Sequence, residues 1–355
     1  VASIGSASAQ SGVFDLHGRV VGPKGQAEAG AIIAERWNCE NGIFAPDGAS
    51  MVTDSRGRFS GKVAAFRFPI AVMAIDHRGR TGGVVLLHRS DVDGESISIP
   101  MSPLRQVRMK VGVRQLPGVF ETNAMEIYAV GGPSAENNSR PEMAYFLGFS
   151  DPKLPLRLPT GSYRLLVRTH TINYFEHPFE VLPGRNPVDL GVLTATASTE
   201  GLLFGHKVPE WHLEAVRGLP ENVKVSDFRG KWLLVEGWAY WCVPCVQEGI
   251  PELMKFWDAH KDQRDRFAAI AFHTHSGWEK DKVASLADVD RLTEGVKASR
   301  WGGREIPVPI VLDKDDETAK LWGIQAIPNV MLIDPNGVLV KTDDPYGYLA
   351  ARLKE

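Results

Sequence analysis

Cysteine is scarce in this chain. Three occur in 355 residues, too few for the dense disulfide framework of a small secreted scaffold or for a four-thiolate zinc site. No apolar run approaches the roughly 18 residues that a membrane-spanning helix needs. Neither sign of charge dominates: 40 Lys and Arg against 43 Asp and Glu leave a net charge of −3. That balance gives no electrostatic case for nucleic acid or an anionic membrane surface. No glycine-rich phosphate loop and no Ser-His-Asp order stands out. The rest of the composition, 43% hydrophobic and 23% charged, is ordinary for a globular protein. The length fits two or three domains.

The punctuation of the sequence divides it. Residues 1–12 are small and polar, and Ala7-Ser8-Ala9 before Gln10 has the small-X-small form of a signal-peptidase site. This segment is expected to be a disordered leader, with a faint signal toward an extracytoplasmic location. Residues 13–101 carry short apolar alternations at 13–21, 31–37, 66–76, 82–88 and 96–100, separated by Gly- and Asp-rich turns, which predict a small β-sandwich. Residues 104–196 repeat the pattern at 106–114, 125–130, 142–149, 162–168, 175–182 and 188–194 and predict a second. Residues 195–201 are small and polar and read as a linker. From Phe204 strands and helices alternate, which implies a mainly parallel sheet in a domain spanning 202–355. Strands are expected at 232–238, 267–273, 308–313 and 329–333, the last pairing with 338–341 across Asp334-Pro335-Asn336-Gly337. Helices are expected at 242–257, 286–299, 316–322 and 347–354.

The chemistry concentrates in Trp241-Cys242-Val243-Pro244-Cys245, directly after the apolar run 232–235. A Cys-X-X-Cys that follows a buried strand puts its first thiol at a helix N-terminus, where the thiolate is stabilised. Three readings of the pair are open: a redox couple, a static staple, or half of a zinc site. A staple across so short a loop constrains little chain entropy, and zinc would need two more ligands. Glu236 interrupts the apolar strand six positions before Cys242. A buried carboxylate is costly when ionised and unpaired, so it is expected either to hold a raised pKa and exchange a proton with Cys245, or to pair with Lys231 or Lys341. Trp241 is expected to form an apolar rim beside Cys242; Trp238 fits rim or core equally well. Pro251 should kink the helix after the cysteines. His273 and His275 alternate at a strand end and could share one face. Cys39 is isolated and reads as a partly buried apolar residue.

Four features in order, residues 227–231, the Cys-X-X-Cys, Ile327-Pro328 and Leu332-Ile333-Asp334, resemble the TlpA/ResA branch of thioredoxin-fold thiol–disulfide oxidoreductases. The resemblance implies that Cys242 is the nucleophile, Cys245 the resolving thiol and Glu236 the buried acid. It further implies that Ile327-Pro328 is a cis-proline loop whose backbone at Ile327 docks an extended client. Asn329 stands where members often have Thr. Pro251 falls six residues after Cys245 where five is usual, so an extra residue near Gly249 should form a bulge. The stretch 277–305 resembles the branch's inserted helical element. Within 13–101, residues 18–21, 30–33 and 53–59 resemble the carboxypeptidase-regulatory-like (transthyretin-like) domain.

The implied architecture is a multidomain chain, two all-β transthyretin/Ig-like sandwich modules followed by an α/β thioredoxin-like domain. The implied activity is reduction of disulfides in client proteins, without a cofactor or metal, with re-reduction by a membrane thiol donor. A peroxiredoxin-type peroxidase is one alternative, although the Pro-X-X-X-Thr/Ser-X-X-Cys arrangement is missing around Cys242. A binding or scaffold protein is the other, with Trp37, Phe44, Tyr174 and Phe175 as a candidate surface patch.

Overall fold

A computed structural model describes residues 12–40, 43–65, 68–92, 96–121, 125–133, 141–149, 156–167, 169–274, 283 and 285–355. Residues 1–11 of the expected leader and His275 lie outside the described residues. The chain divides into two compact units between Thr196 and Ala197.

The first unit is rich in β-sheet. A three-stranded sheet orders Arg58–Ala65, Gly12–Val21 and Ile97–Pro100. A five-stranded sheet orders Ser102–Pro103, Thr81–Leu87, Ile70–Ile75, Ile32–Ala34 and Ser50–Val52. Leu16, Val20 and Ile99 from the former and Ile33, Val72 and Leu87 from the latter share one core cluster. Further along the chain, Arg105–Val113 pairs with Phe120–Glu121, Leu156–Leu158 and, in parallel, Val188–Ala195. A six-stranded sheet orders Phe175–Val181, Gly161–Val167, Met125–Pro133, Pro141–Phe149, Trp37–Glu40 and Ile43–Pro46.

The single strand expected over 31–37 is therefore two strands in two sheets. The chain bends at Glu35 and Arg36, and the Trp37 indole N–H donates to the Ala34 carbonyl at 3.1 Å, satisfying the group where the first strand ends. Trp37 is 1% exposed, so it belongs to the core and not to a surface patch. Cys39, two residues on, is a buried thiol.

The second unit holds the cysteine pair. Its sheet contains β1 (Leu213–Arg217), β2 (Trp232–Trp238), β3 (Phe267–His273), β4 (Ile310–Asp313) and β5 (Asn329–Ile333). The spatial order is β1-β4-β3-β2-β5. The three central strands are parallel, while β1 and β5 run antiparallel to their neighbours. The helices are α1 (Thr199–Leu203), α2 (Ile250–Ala259), α3 (Leu286–Arg300), α4 (Glu317–Trp322) and α5 (Pro345–Leu353).

Alternation along β2 sends its side chains to opposite faces. Leu233 and Val235 join a cluster with Trp211, Phe272 and Trp322. Leu234 and Trp238 join a separate cluster with Cys242, Cys245, Leu253 and Tyr346. Both faces of the sheet are thus covered, as a central parallel strand requires.

Three local expectations change. The segment 195–201 read as a linker contains the start of α1, because Ser198 caps it by accepting from the Gly201 N–H at 2.8 Å. Residues 338–341 do not form a regular strand but still pair back across the turn: the Asp334 N–H donates to the Val338 carbonyl, the Val340 N–H to the Leu332 carbonyl, and Ile333 bridges Leu339. Leu339 donates its amide to the His206 carbonyl and accepts from Gly205, so its hydrogen bonds go to the N-terminal segment of the unit. The edge strand β1 was hidden because Leu213–Arg217 is short and only partly buried.

Candidate active site

The strand β2 ends at Trp238, and Cys242 and Cys245 follow as a closed disulfide. Cys242 is 4% exposed and Cys245 0%. The Cys245 amide points back at the Cys242 Sγ at 3.3 Å, so the helix start places a backbone donor on the first sulfur. Between them Val243 is 58% exposed and Pro244 is also exposed. Trp241 is half-buried and packs, with Ile327, against the cluster that contains both cysteines. Trp238 is core: it is fully buried, edge-on to His273 and Trp301.

The helix expected over 242–257 is not one regular helix. Cys245–Gly249 is a π-helical turn, and the Ile250 N–H donates to the Cys245 carbonyl five residues back. In that register the Val246 carbonyl faces residue 251, which is Pro251 and has no N–H to give. The missing donor comes from elsewhere: the Trp301 indole N–H reaches the Val246 carbonyl at 2.9 Å. Trp301 directly follows α3 and caps it through its own amide to Lys297. The expected bulge near Gly249 is this turn.

The turn makes room for Glu236. A Cβ at position 249 would lie 2.6 Å from Glu236 Oε1 and 3.7 Å from Pro328 Cβ. Only glycine lets the carboxylate, the turn and the proline loop meet. The Ile327–Pro328 peptide is cis. Pro328 is exposed and Ile327 half-buried.

Glu236 is 0% exposed. Its strand neighbours are Ala271 on β3 and Val330 on β5, neither of which is ionisable. Oε2 accepts a 2.6 Å hydrogen bond from the Tyr346 hydroxyl on α5. Oε1 is buried with no hydrogen-bond partner among the described residues. Burial pushes the carboxyl pKa up to about 7; the Tyr346 bond opposes that and the Glu252 carboxylate reinforces it. The lysine pairing is overturned: Lys341 lies over the Phe204 ring, and the group that meets Glu236 is Tyr346. Sequence reasoning missed Tyr346 because nothing in the pattern of α5 marks a residue 110 positions away as its partner.

Two other residues settle nearby. Asn329 is buried and donates through Nδ2 to Glu200 Oε2 on α1 at 3.1 Å, tying the residue after the proline to the start of the unit. His273 accepts the Tyr240 amide at 3.3 Å and stacks on the Tyr240 ring, within the core.

The Redoxin family profile matches residues 204–348. Among curated proteins, the chain is 29% identical over 140 residues to the thioredoxin-like protein YneN of Bacillus subtilis, covering 39% of this chain and 70% of that one. It is 26% identical over 137 residues to the thiol-disulfide oxidoreductase ResA of Geobacillus thermodenitrificans, covering 39% and 67%. Solved structures in the same range include a thiol-disulfide isomerase from Corynebacterium glutamicum, at 21% identity, TM-score 0.32, and 41% and 94% coverage. StoA from Bacillus subtilis matches at 22%, TM-score 0.28, and 40% and 98%. The second unit is a thioredoxin-fold domain of the redoxin class. Within that class it is TlpA/ResA-like, a thiol–disulfide oxidoreductase domain that carries a Cys-X-X-Cys disulfide.

Two outcomes are expected. Trp301→Phe leaves the Val246 carbonyl without a donor and should lower stability by about 1–3 kcal/mol, read as a shift in urea midpoint. Because the folded state binds the Glu236 proton more tightly than the unfolded value of 4.5 allows, wild type loses stability as pH rises from about 4.5 to about 7. Gln carries no such titration, so Glu236→Gln should gain about 3 kcal/mol on wild type between pH 4.5 and pH 8. Parallel stability curves for the two proteins would contradict the raised pKa.

Proposed function

We propose that the chain reduces disulfides in client proteins, with Cys242 as nucleophile, Cys245 as resolving thiol and Glu236 as proton acceptor. The observation that carries this reading is Glu236 itself, fully buried, with no partner for Oε1 among the described residues and Oε1 set under the glycine of the turn that Cys245 begins. A purely structural buried carboxylate is mostly satisfied by protein groups at both oxygens. A proton acceptor needs one left open and a pKa near the working pH.

The steps balance as two exchanges. The Cys242 thiolate attacks one client sulfur, forming a mixed disulfide and releasing the other client sulfur as a thiolate. Cys245 then gives its proton to Glu236 and attacks the Cys242 sulfur. The mixed disulfide breaks, the second client sulfur leaves, and the Cys242–Cys245 bond closes. The client gains two electrons and this pair loses them. The closed pair seen here is the product state, and a membrane thiol donor would restore the dithiol. Trp241, Ile327 and Pro328 supply the client-facing rim, with the Ile327 backbone pairing to an extended segment.

The same reading gives the first unit two transthyretin/Ig-like β-sandwich modules, a carboxypeptidase-regulatory-like one at 13–101 and a second at 104–196. The oxidoreductase domain, 202–355, would work in an extracytoplasmic, periplasmic setting. The relatives, being named as thiol-disulfide oxidoreductases, favour neither a peroxidase nor a scaffold.

Cys245→Ser tests this directly. It should trap clients as mixed disulfides on Cys242, recovered intact without reductant and released by dithiothreitol. The double variant Cys242→Ser, Cys245→Ser should trap nothing. Equal recovery from both would sink the assignment of Cys242 as nucleophile.

A further inference from the structure

The two oxygens of Glu236 are not equivalent. Oε2 is held by a phenol that can only donate to it: burial and the adjacent carboxylate push the Tyr346 hydroxyl pKa far up, so it keeps its proton throughout. Oε1 is buried with no partner among the described residues, 2.6 Å from where a Cβ on Gly249 would stand. The ring of Tyr346 is itself fixed, tilted against Phe256 of α2 at 5.4 Å. Helix α5 thus holds the acid at Oε2.

We propose that Tyr346 is a positioning residue that commits Oε2 as a permanent acceptor and leaves Oε1, facing the turn that Cys245 begins, as the oxygen that takes and gives up the exchangeable proton. The inference rests on Glu236 being the proton acceptor proposed above. An ionised carboxylate with two equal oxygens could take the proton on either, whereas only Oε1 lies against Gly249 of the turn that Cys245 begins. A donated hydrogen bond on Oε2 removes that ambiguity, because an oxygen already accepting from a locked O–H gains less from a second proton than a bare one. The same bond stabilises the charged form and keeps the acid from rising further out of the neutral range. The ionisable groups that bear on it are Tyr346 from α5 and Glu252 from α2, together with the thiols once the Cys242–Cys245 disulfide opens; Ala271 and Val330 flank it on the sheet.

Tyr346→Phe separates positioning from packing, since it keeps the ring against Phe256 and removes only the hydroxyl. The readout is the carbonyl stretch of protonated Glu236 in the infrared, assigned by its loss in Glu236→Gln and followed against pH in the oxidised protein. The wild-type midpoint should fall near pH 7, and the variant's should rise by about 1–2 pH units, the worth of a hydrogen bond to a charged group. Resolution of a trapped mixed disulfide at pH 7 should slow about five- to fifty-fold, in step with the lost carboxylate fraction. Raising the pH should restore it. A midpoint unmoved by Tyr346→Phe would overturn the positioning role, whatever the rates do. A midpoint that moves while resolution keeps its wild-type rate and pH profile upholds the positioning role and overturns Glu236 as proton acceptor.

Discussion

An acid inside a sheet is costly, and the second unit is arranged around that cost. Glu236 lies in the middle of a strand flanked on both sides, where an ionised carboxylate without partners would be strongly unfavourable. The structure meets half of the need with the Tyr346 hydroxyl, and no described residue meets the other half. The remaining penalty is what lifts the pKa to about 7. A stronger partner, such as a lysine, would stabilise the fold and hold the acid ionised at every working pH, leaving it unable to relay a proton.

The irregular helix follows from the same constraint. A regular α-helix after Cys245 with a Cβ at position 249 would collide with the carboxylate. The π turn, Gly249 and Pro251 together open the niche, and Pro251, having no N–H, leaves the Val246 carbonyl to be satisfied. The answer is drawn from α3, whose following residue Trp301 gives its indole N–H to Val246. That indole also packs edge-on to Trp238 at the end of β2. Helix α3 therefore reaches the helix after the cysteines through a specific hydrogen bond as well as through packing.

Much of this was legible in the sequence, and the reasons are local. Strand β2 is a continuous apolar run with one anomalous acid, and β3 and β5 are equally plain. The cysteines, the acid and the proline loop were readable because each is a residue type with few other uses in its setting. The extra residue before Pro251 pointed to a bulge near Gly249. What the pattern did not carry was pairing at long range. Tyr346 looks like any aromatic on an amphipathic helix, and Glu200 like any acid in a polar stretch, until the fold brings them to Glu236 and Asn329. In the first unit the break at Glu35 and Arg36, which sends Trp37–Glu40 into the sheet of a later segment, has the same origin: alternation shows that a strand exists, not which sheet it joins.

The coupling between acid and thiols is tested most directly by the reduction potential of the Cys242–Cys245 pair as a function of pH. If Glu236 exchanges protons with the pair, its pKa differs between the oxidised and reduced forms, and linkage then bends the potential–pH line near the Glu236 pKa. The expected result is a bend close to pH 7 in wild type that is missing in Glu236→Gln. Two superimposable lines, offset or not, would contradict the coupling and leave Glu236 as a buried acid with no part in the chemistry.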